Sequence, residues 1–272
     1  MCDSFNKVVL KISVIIAVYD GVDSIENAIN SVLKQNYSAI ELLVIDGGSK
    51  DGTLEVIEKY LDHISFFETG QDSGISDAFN RGVIQSTGDV IVILNSDDYW
   101  ESGAVHEVVR LFNENPGIDI VHGRIRYIDS LRQSSYIKTP CINDMKKYMS
   151  VYHPTMFAKR KAYDSVGLYN EHYMCAMDSE WVHRALSKKI QFLASHEVLS
   201  NMALGGRSDT EFKQALTEYR QSVITHKIAN KPYAYAYYGL HLLMKYLVKI
   251  SILRQLKQKI DRYINDTFVM DE

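Results

Sequence analysis

Short, mainly apolar blocks run through the first half of the chain, unbroken at 90–94, and each block ends at an acidic, polar or glycine-rich step. Blocks of this kind read as parallel strands covered on both faces. They fall at 12–18, 40–45, 64–67, 90–94 and 118–121. Between them apolar positions recur at helical spacing: Ile25, Ala28, Ile29, Val32 and Leu33, then Leu54, Ile57 and Leu61, then the segment 76–86, then Val105, Val108, Val109 and Phe112. Asp23 is expected to cap the first helix, with Glu26 three residues on completing a capping box. Strand and helix alternating in this way predict an α/β fold: a mostly parallel, Rossmann-like central sheet with helices on both faces.

After Gly123 the pattern changes. Residues 124–128 and 134–138 alternate like a hairpin, 144–151 reads as helix, and 153–159 as strand. A helix is expected over 179–187, following the acids Asp178 and Glu180, then short strands at 190–194 and 197–202. From Thr210 the chain looks helical, with a break at Pro232. The expected division is a main domain at 1–209 and a C-terminal helical tail at 210–272.

Composition narrows the function. A hydrophobic content of 46% allows a sizeable core, and a net charge of −4 gives no general nucleic-acid surface. Cys2, Cys141 and Cys175 are scattered, which argues against a disulfide framework or cysteine zinc site and fits a reducing cytoplasm. The first eleven residues lack the apolar stretch of a signal peptide, and no run approaches a membrane span.

The candidate chemistry lies at strand ends. Residues 90–94 lead straight into Asn95-Ser96-Asp97-Asp98. Acids at the carboxyl end of a parallel strand sit where open α/β sheets bind ligands. Two carboxylates there are costly unless a cation shares the site, and Mg²⁺ or Mn²⁺ carrying a phosphorylated ligand is the natural partner. A solvated Asp-Asp turn is the alternative reading. Tyr19-Asp20 follows the first strand and Asp46-Gly47-Gly48-Ser49 the second, where glycines let a ligand approach backbone. Asp72 to Asp77 precedes a helix, where Ser76 or Asp77 also suits a cap.

The segments 15–20, 44–53 (VIDGGSKDGT), 74–82 (GISDAFNRG) and 94–98 (LNSDD) occur in order and at a spacing that resembles the family 2 glycosyltransferases of the GT-A fold. His153-Pro154-Thr155-Met156-Phe157, the segments 167–171 and 177–181, and Gly205-Gly206-Arg207-Ser208 extend the resemblance to 11–209, and it is nearest the branch that builds bacterial surface polysaccharides. The resemblance implies inverting transfer of a sugar from a nucleotide-diphosphate donor, foremost a UDP-sugar, to a glycan or lipid-linked hydroxyl. It implies that Ala17 and Tyr19 line the base and ribose pocket, that Asp46 accepts from the nucleobase, and that Asp77 lies near ribose or diphosphate. Asn95, Ser96, Asp97 and Asp98 occupy the family's DxD motif, whose acids hold metal and ribose, with Asp97 and Asp98 as metal ligands. Asp178 matches the catalytic base. This sequence departs from the pattern at Asn95 and Met177, where the family carries acids, and at Phe79, where many relatives carry arginine, which shifts the diphosphate onto Arg81 or the metal.

Three residues keep two readings. His153 touches diphosphate, metal or acceptor, or is a satisfied histidine before a proline turn. Glu180 is a decoy for Asp178 or a second contact to acceptor or diphosphate. Arg207 contacts donor or acceptor, or lies in a surface loop. The aromatic and basic stretch 233–259 packs on the domain or on a second subunit, or lies on the inner face of the cytoplasmic membrane. Every donor-site residue named precedes 209, so removing the tail is expected to spare nucleotide binding. The rival functions are a nucleotidyltransferase and a catalytically inactive nucleotide-sugar-binding or assembly protein.

Overall fold

The computed structural model of the chain describes residues 8–129, 133–205 and 210–247. The first half builds four parallel strands: β1 (Ile12–Val18), β2 (Ile40–Asp46), β3 (Phe66–Thr69) and β4 (Val90–Asn95). Helices α1 (Ile25–Leu33), α2 (Thr53–Glu58) and α3 (Ile75–Gln85) connect them. The second half adds β5 (Tyr99–Trp100), α4 (Ala104–Glu114), β6 (Ile120–Asp129), β7 (Ser134–Lys138), β8 (Phe157–Lys159), α5 (Arg160–Val166), α6 (Met177–Ser187) and β9 (Phe192–Ala203). All nine strands join one sheet in the order β3-β2-β1-β4-β8-β6-β9-β5, with β7 paired on β6. Strand β8 runs antiparallel between β4 and β6, so the sheet is mixed about a parallel majority.

The period-2 rule of strands sorts β1 onto two cores. Ile12, Val14, Ile16 and Val18 pack with α1 and α4; Ile15 and Ala17 pack with α3 and α6 on the other face. Gly82 lets α3 lie against β1, since a Cβ there would come within 2.3 Å of Ile15 Cγ2. At the amino end of the sheet Glu41 is buried but fully answered. Burial pushes its carboxyl up; Ser13 Oγ at 2.5 Å, Thr87 and the Lys11 ammonium outweigh that and hold it at about 2.

Local details differ from the sequence reading. Ser24, not Asp23, holds the cap position of α1 and makes no side-chain cap bond. A backbone turn starts the helix instead, with the Ser24 and Ile25 amides both on Gly21 O, while Glu26 accepts from Tyr60 Oη at 2.8 Å. Segments 118–121 and 124–128 are one long strand with a register irregularity near Arg124, and 190–194 and 197–202 likewise merge into β9. The helix expected at 144–151 is only a 3₁₀ turn, Ile142–Lys146, because Met145, Val151 and Tyr152 all turn inward. Residues 153–155 form a second such turn before the short β8.

The tail contributes α7 (Phe212–Thr225) and α8 (Lys231–Leu247), with Pro232 in the first turn of α8, where proline is tolerated. Helix α7 docks on α6. His183 is fully buried, with Nδ1 2.8 Å from Ser222 Oγ and Nε2 2.9 Å from Met145 O; Met145 O can only accept, so Nε2 carries the proton. Tyr219 Oη donates to Met145 O at 2.5 Å, and Val223 is buried. Arg220 stacks over Tyr235 and Tyr238, tying α8 to α7. Among the described residues no helix is long and apolar enough to cross a membrane. Removing residues 210–272 would strip the cover from His183 and Met145, leaving buried polar groups unpaired at roughly 1–3 kcal/mol each. The expected outcome is a truncated protein that melts at least about 8 °C lower or is insoluble, read by calorimetry against the full chain.

Candidate active site

Strand register brings the carboxyl ends of β1 to β4 to one edge. Val18 pairs with Asp46, Asp46 with Thr69, and Ala17 with Asn95. The strand order reverses direction between β1 and β4, which is where crevices open in such sheets. A cavity of about 980 Å³ lies there, large enough for a nucleotide sugar by the usual size of ligand sites. Its walls include Ala17, Tyr19, Asn95, Ser96, Asp97, His153 and Asp178.

One end is a slot beside Tyr19, whose ring is 65% exposed. Gly47 and Asp72 complete it: a Cβ on Gly47 would meet Asp72 Oδ2 at 2.8 Å and Tyr19 Cδ2 at 3.3 Å, so only glycine keeps the slot open. The loops after β1 and β2 are laced together. Ser49 Oγ accepts from the Asp20 amide at 2.8 Å, Asp20 Oδ1 from the Lys50 amide at 2.9 Å, and Thr53 Oγ1 from the Gly21 amide at 2.9 Å. Asp20 has φ 47°, a left-handed conformation that Asp and Asn tolerate best.

Asp46 and Asp77, both expected at the nucleotide, do not line the cavity. Asp46 is buried and organises its own loop, accepting from the Gly48 and Ser49 amides, from Ser49 Oγ at 2.5 Å and from Thr69 Oγ1 at 2.6 Å. Asp77 accepts two bonds from Arg81 and one from the Ser73 amide, and the Arg81 guanidinium holds its carboxyl below the usual range. Arg81 is in turn shared with Glu68 at 3.0 Å, so neither it nor Asp77 faces the cavity. The acid at the slot is Asp72, which the sequence reading placed in a candidate segment without giving it a role. Its signal was its place, directly after the end of β3 at Thr69.

Below the slot lie the acids that follow β4. Asp97 opens on the cavity; burial in the surrounding protein raises its pKa. Asp98 is fully buried behind it and does not line the cavity. Its Oδ2 accepts from Asn95 Nδ2 at 3.0 Å, but its Oδ1 and Asn95 Oδ1 have no partner. Burial, then the charge of Asp97, push the Asp98 carboxyl well above its ordinary range. Among the described residues no three His, Cys, Asp or Glu side chains converge as a closed cage. A divalent ion held by one or two carboxylates and by ligand phosphates needs no such cage. The neighbouring acids Asp97 and Asp98, with the orphaned buried oxygens of Asp98 and Asn95, fit that kind of ion, since a cation relieves the cost that protein groups here leave.

The opposite part of the cavity is built by the second half of the chain. Asp178 stands in the first turn of α6, where the helix dipole favours a carboxylate. Its Oδ1 accepts from the Ser179 amide at 2.6 Å and from Ser179 Oγ at 3.2 Å; among the described residues its Oδ2 has no hydrogen-bond partner. Glu180 points elsewhere. It is buried, bound by Arg184 through both oxygens at 3.0 and 2.9 Å and by His226 Nε2 at 2.9 Å, and it does not line the cavity. His153 keeps both characters: it lines the cavity, yet it is buried, stacked 5.1 Å from Phe79, with Nε2 3.1 Å from Tyr169 Oη. Burial lowers its pKa, and the charge of Asp178 opposes that shift. Arg207 lies outside the described residues.

Sequence reasoning also missed wall residues supplied by the hairpin and the tail. Tyr127, Tyr152, Lys147, Phe212, Leu216, Tyr219, His241 and Lys245 all line the cavity. The donor-site residues named from the sequence all precede 209, but α7 and α8 close one side of the same cavity. Nothing in their helical pattern distinguishes a cavity-facing tyrosine from a packed one.

The mixed sheet, the acids at its carboxyl edge and the base-like acid on α6 define a GT-A nucleotide-sugar fold. A model of glycosyl transferase family 2 matches residues 13–185, and the chain belongs to that family. An uncharacterized glycosyltransferase of Nostoc sp. is 36% identical over 118 residues, 42% of this chain and 36% of that protein. Glycosyltransferase AglE of Haloferax volcanii is 25% identical over 203 residues, 69% of this chain and 65% of that one. The chain thus spans between about a third and two thirds of the length of these two relatives. Among solved structures, the mannosyltransferase PcManGT from Pyrobaculum calidifontis, in complex with GDP-Man and Mn²⁺, superposes with a TM-score of 0.65 at 17% identity, covering 86% of this chain and 71% of that one. S. aureus TarS 1–349 in complex with UDP-GlcNAc gives 0.61 at 18%, covering 85% and 71%. At these identities the structures speak for the fold. Family membership removes the nucleotidyltransferase reading.

Proposed function

We propose that the protein is a metal-dependent, inverting glycosyltransferase that moves a sugar from a nucleotide diphosphate, a UDP-sugar first, to a hydroxyl of a glycan or lipid-linked acceptor in bacterial polysaccharide synthesis. The observation that carries this reading is that Asp97 and Asp178 line one cavity with the Tyr19–Gly47 slot. The base stacks on Tyr19, with Asp72 the acid in reach of its polar edge. Asp97, with Asp98 and Asn95 behind it, holds Mn²⁺ or Mg²⁺, which supplies charge neutralisation for the departing diphosphate. Asp178 Oδ2 takes the proton of the acceptor hydroxyl. As it does so, the acceptor oxygen bonds to the anomeric carbon from the face opposite the diphosphate, and the carbon–oxygen bond to the diphosphate breaks.

Helix α8 exposes Leu240, Leu243 and Met244 on one face, which supports peripheral contact with the inner face of a cytoplasmic membrane, where a lipid-linked acceptor resides. Of the cations expected to strengthen that contact, Lys245 lines the cavity, and Lys249, Arg254, Lys257 and Lys259 lie outside the described residues.

The test is a panel of UDP-, GDP- and dTDP-sugars screened for thermal stabilisation with and without Mn²⁺, followed by donor turnover. A bound ligand raises apparent stability by mass action, so a ligand at a hundred times its Kd adds about 2.7 kcal/mol. One nucleotide class should stand out only with metal present, and the product anomer should be inverted by NMR. Metal-dependent binding without any turnover would favour the inactive-binder reading; no stabilisation by any nucleotide sugar would sink both.

A further inference from the structure

Helix α6 carries Asp178 but has no side-chain cap of its own. The groups that answer its entry come from α7. Glu218 Oε2 accepts from the Cys175 amide at 2.8 Å and the Ala176 amide at 2.9 Å; Oε1 accepts from the Met174 amide at 3.2 Å. Gln214 Nε2 donates to the same Oε1 at 2.8 Å. One carboxylate therefore gathers three successive backbone N–H groups, ending at Ala176, the cap residue of α6, two positions before Asp178. Charge-assisted bonds of this kind are the strong ones, and a cluster of successive amides is a fitted receptor for an anion.

The contact is one of a row. Glu218, Ser222 and His226 recur every fourth residue, so they share a face of α7. They engage in turn the 174–176 entry, His183 and Glu180, all on or beside α6. Met174, Cys175, Ala176, Met177 and Asp178 all line the cavity, so a shift of this entry turn moves the cavity wall and the acid together.

We propose that Glu218 is a positioning residue for the transfer reaction: by clamping the 174–176 amides it sets the first turn of α6 and, through it, the place of the Asp178 carboxylate. The inference rests on Asp178 being the base. A displacement of about 1 Å in a reacting group costs on the order of 10²-fold in rate without changing how the donor half binds nucleotide. The donor slot, built on β1 to β4, shares no residue with the clamp.

Glu218→Gln separates this role from general support. Glutamine keeps the shape but must turn an NH₂ toward donors, because all four partners of this carboxylate are N–H groups. With the donor found by the panel, kcat should fall about 10- to 100-fold in Glu218→Gln and Glu218→Ala, while donor KM and the binding of UDP with Mn²⁺ stay within about threefold of wild type. Glu218→Asp, one methylene shorter, should fall between. Combined with Asp178→Asn, Glu218→Gln should cost nothing further, since residues that act as a unit are non-additive. Amide exchange at 174–176 should quicken at least about tenfold in Glu218→Gln, whatever the donor. Wild-type kcat in Glu218→Gln, unchanged exchange, or losses that multiply in the double variant would each overturn the clamp. An inactive Asp178→Asn beside a wild-type Glu218→Gln removes only this inference; a fully active Asp178→Asn removes the base and the clamp together.

Discussion

Asp178→Asn should bind nucleotide with metal as the parent does and lose sugar transfer by at least about 10²-fold, the low end for losing a general base. Asn keeps the size of the side chain, and its carbonyl oxygen still accepts from Ser179, so α6 and the cavity wall stay in place. What disappears is Oδ2, the oxygen with no hydrogen-bond partner among the described residues, as a proton acceptor. Glu180→Gln is the control on the same turn of helix. It disturbs the Arg184 and His226 contacts, so it should lower Tm by a few degrees while leaving the rate within about tenfold. Steady-state kinetics and calorimetry on both variants decide the matter; a faster Asp178→Asn than Glu180→Gln would mean that the wrong acid carries the proton.

Asp97→Asn should abolish the Mn²⁺-dependent stabilisation by nucleotide and lower turnover at least about a hundredfold, equal to about 2.7 kcal/mol of barrier. The pH dependence adds a second readout. Asp97 and Asp98 have carboxyl pKa values raised in the folded protein, by burial first and, for Asp98, by the charge of Asp97. The folded state then holds its protons more tightly than the unfolded chain does. Stability from this pair is full below the ordinary carboxyl pKa and is lost as pH rises through the raised values. A divalent cation binds the ionised form, so the Tm gain from Mn²⁺ should grow as pH rises over the same window. Thermal melts with Mn²⁺ or EDTA across that range would show it. A gain independent of pH, or one that persists in Asp97→Asn, would move the ion elsewhere.

Much of this architecture was legible from the pattern of residues. The blocks at 12–18, 40–45 and 90–94 form strands because a mainly apolar run of this length fits a surface covered on both sides. Register then places Tyr19, Gly47 and Asn95 at one edge, as the order of strand ends suggested. Where the reading failed, a tertiary contact decided the outcome. Asp46 and Asp77 look like ligand residues because acids after strands often are; here backbone amides, Thr69 and Arg81 engage them first. Asp72 was given no role of its own because nothing local separates it from a turn residue. The 144–151 segment carries helical spacing, yet Met145 and Tyr152 are drawn inward and the helix stops after one 3₁₀ turn. The cavity-lining role of Tyr219 and Lys245 depends on how α7 meets α6, a long-range pairing that periodicity does not encode.

The sheet holds a buried acid at each end, and they have opposite characters. Glu41 is surrounded by donors and favours its charge; Asp98 keeps an oxygen without any. Asp98 is therefore a place where the bare protein gains from replacement, because exchanging a desolvated carboxylate for a neutral or apolar side chain relieves its cost. A thermostability screen run on cell lysate without nucleotide or metal would enrich substitutions there first, and its most heat-resistant clones would be its least active. Screening in the presence of Mn²⁺ and the donor nucleotide reverses that ranking, since the ligand then rewards the chains that keep the acid.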